Sequence, residues 1–520
     1  MGFTGIDYAV IIIYLVLVAV LGIMAAGRQK STSDYFLGGR GVPWWAVLFS
    51  VVATETSTLT FISVPAVAYG GDMTFLQITF GYIVGRILVS IFFLPSYYEG
   101  NLSTAYQFLA NRFGPSMRNI TSTTFMVTRL LADGVRLFAT AIPMAIILRL
   151  GGAFSGWSDL QVYILAISAI AGITVIYTFI GGIKAVIWMD VMQMAVYIIG
   201  AFIAVGIMVA DLPNGFSTAI TMAKDAGKLK IIDFGFGMTS FKAFIAQPYT
   251  FFTALIGGAI FSVASHGTDH LIVQRLLTTH NLKNSQKALI GSGFVIFFQF
   301  ALFLGIGILL YGFYNGQTPE QLGLATTDEI FAKFIVEQLP TGLSGLIVAS
   351  LFAAAMSSLS SSLNSLASST TFDLYKPYFG QDNTAEQDLK ISRVITVIWC
   401  VILTGAAFYF AVLQLQSTGE RPAVVELGLG IASYTYGGLL GAFVLGILST
   451  KVGRKDAILG FFVGLISLLF MVQGPVQQLL PGEGLAIAWP LYTLVGASIV
   501  VIVGNISYQI RKKRGAMVER

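Results

Sequence analysis

Thirteen apolar runs constrain this chain more than any other feature. They fall at about 8–26, 44–69, 74–98, 119–150, 161–180, 187–209, 247–266, 287–314, 341–375, 392–414, 422–450, 457–474 and 487–510. A membrane-crossing helix needs roughly 20 apolar residues. Backbone in lipid finds no water to bond, so each run must be a helix that satisfies its own N–H and C=O groups. The ten-residue alternation of a membrane β-barrel is absent. The expected fold class is an all-α polytopic membrane protein with about 13 transmembrane helices and 1–520 as one transporter domain. Only 11% of residues are charged and 56% are hydrophobic, whereas soluble proteins carry about a quarter charged.

Charge sets the expected orientation. With Arg511–Arg514 placed in the cytoplasm, the loops and tail on that side hold 20 Lys and Arg, among them Arg28, Arg40, Lys184, Arg275 and Lys376. The opposite loops hold six: Lys224, Lys228, Lys230, Lys242, Lys333 and Arg421. The positive-inside rule then puts the C-terminus in the cytoplasm and, with an odd number of spans, the N-terminus outside a plasma (cell inner) membrane. No cleavable signal peptide is expected, because the run at 8–26 is full length and lacks a basic start. The net charge of +5 belongs to these loops and not to nucleic-acid binding. Cys400 is the single cysteine, so no disulfide framework and no thiolate metal cluster is expected.

Two spans look interrupted. Run 44–69 carries Ala53-Thr-Glu-Thr-Ser-Thr58 at its centre, and run 247–266 carries Gly257-Gly258. Each is followed by four more spans. Two five-helix halves, 44–209 and 247–450, each opening on a broken helix, are what an inverted-repeat transporter requires, with its binding site at the breaks. Residues 8–26 add one helix before them and 457–510 add two after.

The ninth run holds Ser357, Ser358, Ser360, Ser361, Ser362, Ser365, Ser368 and Ser369, without a charge from Ala349 to Phe372. Ala354, Ser357, Ser358, Ser361, Ser365 and Ser368 share a helix face. Two explanations compete: close packing of membrane helices through small residues, or a row of hard oxygen ligands for a cation.

Ionisable groups within spans are functional candidates by default. They are Glu55, Arg86, Arg129, Asp133, Arg136, Asp190 and Glu426. Arg129 and Asp133 are four apart, Asp133 and Arg136 three. Either the face neutralises itself, or Arg136 is left to grip a substrate carboxylate. Three roles are open to Glu55: a partner for Arg136, a contact for a substrate hydroxyl or amine, or a negative field near a cation. Asp190 is either an interfacial helix-start carboxylate or a cation ligand acting with the serines. His266 and His270 are four apart around Asp269, the spacing of a two-ligand metal face, but no third ligand is visible. There is no Walker A motif and no Gly-x-Ser-x-Gly elbow.

Several stretches together resemble the sodium/solute symporter family, from about residue 7 to residue 510. They are Ser33-Asp-Tyr-Phe-Leu-Gly-Gly39, Ser50 to Phe61, Pro65 to Tyr69, Tyr177 to Gly182 with Trp188-Met-Asp190, Gln274-Arg275, and Phe352 to Asn364 with Asp373 to Lys376. The resemblance implies a leucine-transporter-type five-plus-five inverted repeat. It implies a main sodium site at the carbonyls of Ala53, Thr56 and Ala354 and the hydroxyls of Ser357 and Ser358. A second sodium, as in some members, would take Asp190 with Ser357, Ser360 and Ser361, giving one or two sodium ions per cycle. Ser57, Thr60 and Arg136 match substrate contacts of the sialic acid carrier, and Phe75 and Thr79 fall on the pocket face of the next helix. Glu55 departs from that carrier's threonine and has the acidic type of the proline carrier. Ser262 and Ser265 replace an asparagine and a tyrosine of the galactose carrier, and Ile296 replaces its lysine.

The expected function is sodium-coupled symport of a small organic anion by alternating access, in a lipid bilayer and without nucleic acid or an evident obligatory protein partner. A neutral sugar, polyol or amino acid is the alternative cargo, with Arg136 bound to Asp133 or Glu55. A membrane metalloenzyme using His266 and His270 is the remote alternative. A transporter-like sensor is disfavoured by the six residues that follow Arg514.

Overall fold

A computed structural model describes residues 4–150, 154, 156–416, 424–471 and 487–518. The chain is all-α, with no strand among the described residues. The main helices are α1 (Gly5–Ala25), α2 (Trp44–Glu55), α3 (Thr58–Gly70), α4 (Ile78–Phe92), α5 (Pro115–Leu150), α6 (Asp159–Asp211) and α7 (Phe251–Gly267). They continue with α8 (His270–Leu276), α9 (Leu282–Phe313), α10 (Leu343–Ser369), α11 (Ala385–Gln416), α12 (Val424–Leu448), α13 (Arg454–Met471) and α14 (Tyr492–Val518). Short helices include Phe216–Asp225, between α6 and α7, and Glu329–Glu337, between α9 and α10.

Seven helices of the described residues are long and apolar enough to cross a bilayer, or up to nine if each bent pair is one span. At 53 residues, α6 covers both expected runs 161–180 and 187–209. It turns at Gly182, whose φ of 55° and ψ of −155° no helix contains. Asp190 therefore lies within a long helix, not at the start of one. Large apolar side chains such as Ile13, Phe202, Phe298 and Val401 point outward, which suits contact with lipid.

The stretches that carry the family resemblance meet one another in space. Gly38 and Gly39, both with positive φ, turn the chain between the short helix Thr32–Leu37 and α2. A side chain at Gly182 would strike the Tyr35 carbonyl oxygen. Tyr35 Oη donates to the Thr178 carbonyl at 3.0 Å. Gln274 Nε2 reaches the Phe36 carbonyl at 2.9 Å and Asn364 Oδ1 at 2.6 Å.

Both halves open on a broken helix, but the second break is not at the glycine pair. It falls at Thr268–Asp269, between α7 and α8, which bend by 65°. Gly257 and Gly258 are helical, and they are glycine for packing. A Cβ at Gly257 would sit 2.6 Å from Pro490 Cβ, and one at Gly258 would sit 2.8 Å from the Ile78 carbonyl. Gly81 and Gly85 on α4 complete this seam against α7. The serine run is straight helix through Ser369 and passes into a π-helical turn at Thr370–Tyr375.

Candidate functional site

The first break comes from hydroxyl chemistry. Thr56 (φ −82°, ψ 106°) and Ser57 (φ −102°, ψ 173°) are extended. Short hydroxyl side chains offer the backbone alternatives to the helix ladder. The Ser57 N–H turns to Thr60 Oγ1 at 3.3 Å. In an unbroken helix it would close on the Ala53 carbonyl, so the break frees that oxygen.

Hydrogen bonds then fix the break against the serine helix. Thr54 Oγ1 lies 3.1 Å from Ser361 Oγ, and Thr58 Oγ1 donates to the Leu351 carbonyl at 3.1 Å. Between these two ties the unwound backbone faces the Ala354–Ser358 turn of α10. Ser358 Oγ donates to the Ala354 carbonyl at 3.2 Å, which leaves its own lone pairs open. Ser358 and Ser57 share a cavity of about 20 Å³ with Asp133 and Arg136. The Thr56 hydroxyl is committed elsewhere, donating to Val52 and accepting from Gln299 Nε2 at 2.6 Å. What Thr56 offers here is its carbonyl. Neutral oxygens in a dry setting suit a sodium ion that has shed its water. Ser357 likewise spends its hydrogen, on Asp190, and keeps its lone pairs.

Ser357 Oγ donates to Asp190 Oδ1 at 2.7 Å, and Ser50 Oγ donates to Asp190 Oδ2 at 2.5 Å. Arg275 completes the cluster. Its Nη2 lies 3.2 Å from Asp190 Oδ2 and also contacts Ser361 Oγ, and its Nε donates to Ser50 Oγ at 2.9 Å. Ser360 and Ser361 both donate to the Ser357 carbonyl. Arg275 is therefore not a loop charge. It is fully buried in α8 and stands between the acid and the serine expected to share a second sodium. Asp190 is buried too and serves as its counter-ion.

A larger cavity, of about 110 Å³, opens beside the two breaks. Glu55, Ser57, Thr60, Phe75, Arg136 and Ser265 line it, as expected for solute contacts. Thr79 and Ser262 are not on its wall: their hydroxyls donate to the carbonyls of Leu76 and Tyr82. Glu55 does not pair with Arg136. It takes the fully buried Arg86 through both carboxylate oxygens, at 2.5 and 2.7 Å, and contacts His266 Nε2.

Arg129 is held by Asp269 at 2.5 Å, by the Tyr436 hydroxyl and by Asp133 at 3.4 Å. Ser362 Oγ donates to the second oxygen of Asp133 at 2.6 Å. Arg136 is left 4.0 Å from Asp133, its nearest carboxylate among the described residues, with 21% of its side chain exposed. It is the least committed guanidinium on the cavity wall.

Asp269, Tyr436 and His266 on the wall, and Arg86 behind Glu55, are site residues that sequence reasoning did not assign to this cavity. Asp269 and His266 flank the second break, so a polar interruption there was the available signal. Tyr436 offered none. The two histidines expected of a metal face look apart: His266 meets Glu55, while His270 Nε2 meets Ser368 Oγ at 3.0 Å. No group of three His, Cys, Asp or Glu among the described residues could hold a metal ion. The Glu426 side chain lies outside the described residues.

The comparisons agree with this architecture. The family model described as the sodium:solute symporter family matches residues 35–464. The sodium/sialic acid symporter NanT of Aliivibrio fischeri is 30% identical over 508 residues, covering 97% of this chain and 93% of its own. The sodium/sialic acid symporter SiaT of Proteus mirabilis is also 30% identical, covering 97% and 95%. The human sodium/iodide cotransporter is 26% identical over 90% of this chain and 70% of its own. A solved sodium-coupled sialic acid symporter, substrate-bound and outward-open, superposes with a TM-score of 0.81 at 28% identity over 98% of both chains. A nucleobase-cation-symport-1 family transporter, at 14% identity and a TM-score of 0.52 over 92% and 94%, shares the fold alone. The matched proteins are sodium-coupled transporters and not enzymes. With the match running over most of its length, the chain belongs to the sodium:solute symporter family.

Proposed function

We propose that this symporter imports a small organic anion, a carboxylate or acidic sugar, through the cavity at the two breaks. The carrying observation is Arg136, a guanidinium on the cavity wall whose ion pair among the described residues, 4.0 Å to Asp133, is longer than those that hold Arg86 and Arg129. A bidentate grip on a carboxylate is the contact such a group makes best. Names of the two bacterial relatives support a sialic acid as the first candidate. The 4.0 Å approach of Arg136 to Asp133 supports one alternative, a neutral sugar, polyol or amino acid with those two residues paired. Glu55 is spent on Arg86 and does not offer Arg136 a second partner.

One sodium is assigned to the carbonyls of Ala53, Thr56 and Ala354 and the hydroxyls of Ser357 and Ser358, where the carbonyl freed at the break and the hydrogen bonds that tie the break to the serine helix support it. A second between Asp190, Ser357, Ser360 and Ser361 requires Arg275 to leave Ser361. Sodium in the first place ties the break to the serine helix and thereby shapes the solute cavity, which is how binding of one ligand favours another. With the cell interior negative, each entering positive charge gains about 2.3 kcal/mol per 100 mV. We take 44–209 and 247–450 as the inverted repeats, with 8–26 and 457–510 outside them. We take the N-terminus as outside the plasma (cell inner) membrane and the C-terminus as cytoplasmic.

Uptake of radiolabelled sialic acid into proteoliposomes under an inward sodium gradient tests this. Arg136→Gln is expected to raise the half-saturating sialic acid concentration about tenfold or more, the worth of a charge-assisted hydrogen bond. Equal uptake by wild type and variant would return Arg136 to a structural pairing with Asp133, and no uptake by either would leave the neutral-solute alternative.

A further inference from the structure

Phe236 and Phe241 precede α7 and are 85% and 77% exposed. They do not stand alone. The Phe236 ring stacks on Phe234 at 5.4 Å between centroids, and Phe234 meets the Phe252 ring at 6.3 Å. Phe252 and Ile256, one turn apart on α7, are exposed as well. They lie on the face that a membrane-spanning α7 turns to lipid. An apolar ridge therefore runs along that face and continues onto the segment before the helix. A contiguous apolar surface of this kind marks something that covers it.

Hydrogen bonds hold the ridge in place. Gly235, at φ 71°, turns the chain so that Phe234 and Phe236 come side by side. Its N–H donates to Asp233 Oδ1 at 2.9 Å, and the Phe251 N–H donates to the Asp233 carbonyl at 2.6 Å. Asp233 is thus level with the first turn of α7, where a span leaves the hydrocarbon. The Asp233 N–H donates to Gln77 Oε1 at 3.0 Å, and Gln77 is fully buried. Gln77 Nε2 donates to the Tyr249 carbonyl at 2.8 Å, and the Tyr249 ring packs on Phe75, which lines the solute cavity.

Lysines accompany the rings. Lys242 is exposed directly beside Phe241. The Lys230 side chain, paired with Asp233 at 2.9 Å, is half exposed. Across 224–242, Lys224, Lys228, Lys230 and Lys242 outnumber Asp225 and Asp233. Exposed phenylalanines bordered by lysines suit the headgroup layer of a bilayer, with rings toward the acyl chains and ammonium groups toward the phosphates. Continuity with the lipid-facing side of α7 favours lipid over a protein partner, whose contact would end at the bilayer.

We propose that residues 231–242 form a phospholipid-binding surface that seats in the headgroup layer at this end of the bundle. Its base adjoins the wall of the solute cavity through Gln77 and Tyr249.

Site-directed fluorescence on the full-length protein tests this. Cys400→Ala protein carrying Phe236→Cys is labelled with a polarity-sensitive fluorophore and reconstituted in vesicles of phosphatidylcholine and phosphatidylglycerol. Phe241→Cys is the second reporter if Phe236→Cys does not fold. Asp382→Cys supplies a water reference and Val401→Cys a lipid reference, both positions being exposed. The expected emission lies to the blue of the Asp382 label and is shielded from aqueous iodide. It is expected to be lost to lipids bearing a nitroxide near the glycerol more than to lipids bearing one at the chain end. Emission and iodide quenching equal to those of the Asp382 label would overturn the proposal. So would a label shielded from iodide yet untouched by either nitroxide, which would mark a protein occupant.

Discussion

Arg275 Nη2 stands 3.2 Å from Asp190 Oδ2, and neither side chain reaches solvent. The pair joins α8, the far half of the second broken span, to α6, and Ser50 and Ser361 bond into it from α2 and α10. Four helices thus share one buried charge pair. Removing one partner of such a pair strands the other charge, at about 3–5 kcal/mol, whereas removing both costs far less. Asp190→Asn and Arg275→Gln are each expected to lower the melting temperature sharply in detergent. The double variant is expected to recover much of the loss. Single variants that melt with the wild type would show that the pair carries no such load.

The seam between α4 and α7 makes a separate prediction about stability. A Cβ at Gly85 would strike the Ala259 carbonyl, which is backbone and cannot step aside. Gly85→Val is expected to destabilise the fold by about 1–3 kcal/mol or more. At Gly305, in α9, no atom lies within 4 Å of the place a methyl group would take, so Gly305→Ala is expected to be neutral or slightly stabilising. Thermal unfolding of both variants separates close packing from a general intolerance of change.

Tyr436 carries the third. Its hydroxyl donates to Asp269 at 2.6 Å and also meets Arg129, so it locks the second break to α5 at the cavity wall. Hydrogen bonds to charged groups contribute about 1.5–3 kcal/mol. Tyr436→Phe is expected to raise the half-saturating solute concentration while leaving that for sodium near the wild-type value. Sodium-activation curves that shift as far as the solute curves would contradict the separation of the two sites.

The first break was legible in the sequence because its cause is local: Thr54 to Thr58 place hydroxyls and Glu55 inside an apolar run. The second was not. Gly257-Gly258 looked like an interruption, yet those glycines admit Pro490 and Ile78 from segments far away in the chain. The real break, Thr268–Asp269, lies at the end of the apolar run, where polarity looks like a loop beginning. The same ambiguity made Arg275 count as a cytoplasmic charge. Spacing revealed that Arg129 and Asp133 share a face, but not that Asp269, 140 positions away, takes most of Arg129. The serine helix announced its polar stripe, while only the fold could show that Ser357 turns to Asp190 and Ser358 to the break.

Sodium held between the first break and the serine helix is the central claim, and equilibrium binding of radioactive sodium to the purified protein tests it most directly. Ser358→Ala removes a hydroxyl from the assigned site. Ser365→Ala removes one on the same stripe two turns away, where among the described residues it bonds the Ser362 carbonyl. The expected result is about a tenfold or greater loss of sodium affinity in Ser358→Ala, equivalent to about 1.4 kcal/mol, with Ser365→Ala unchanged. Wild-type sodium affinity in Ser358→Ala would contradict it.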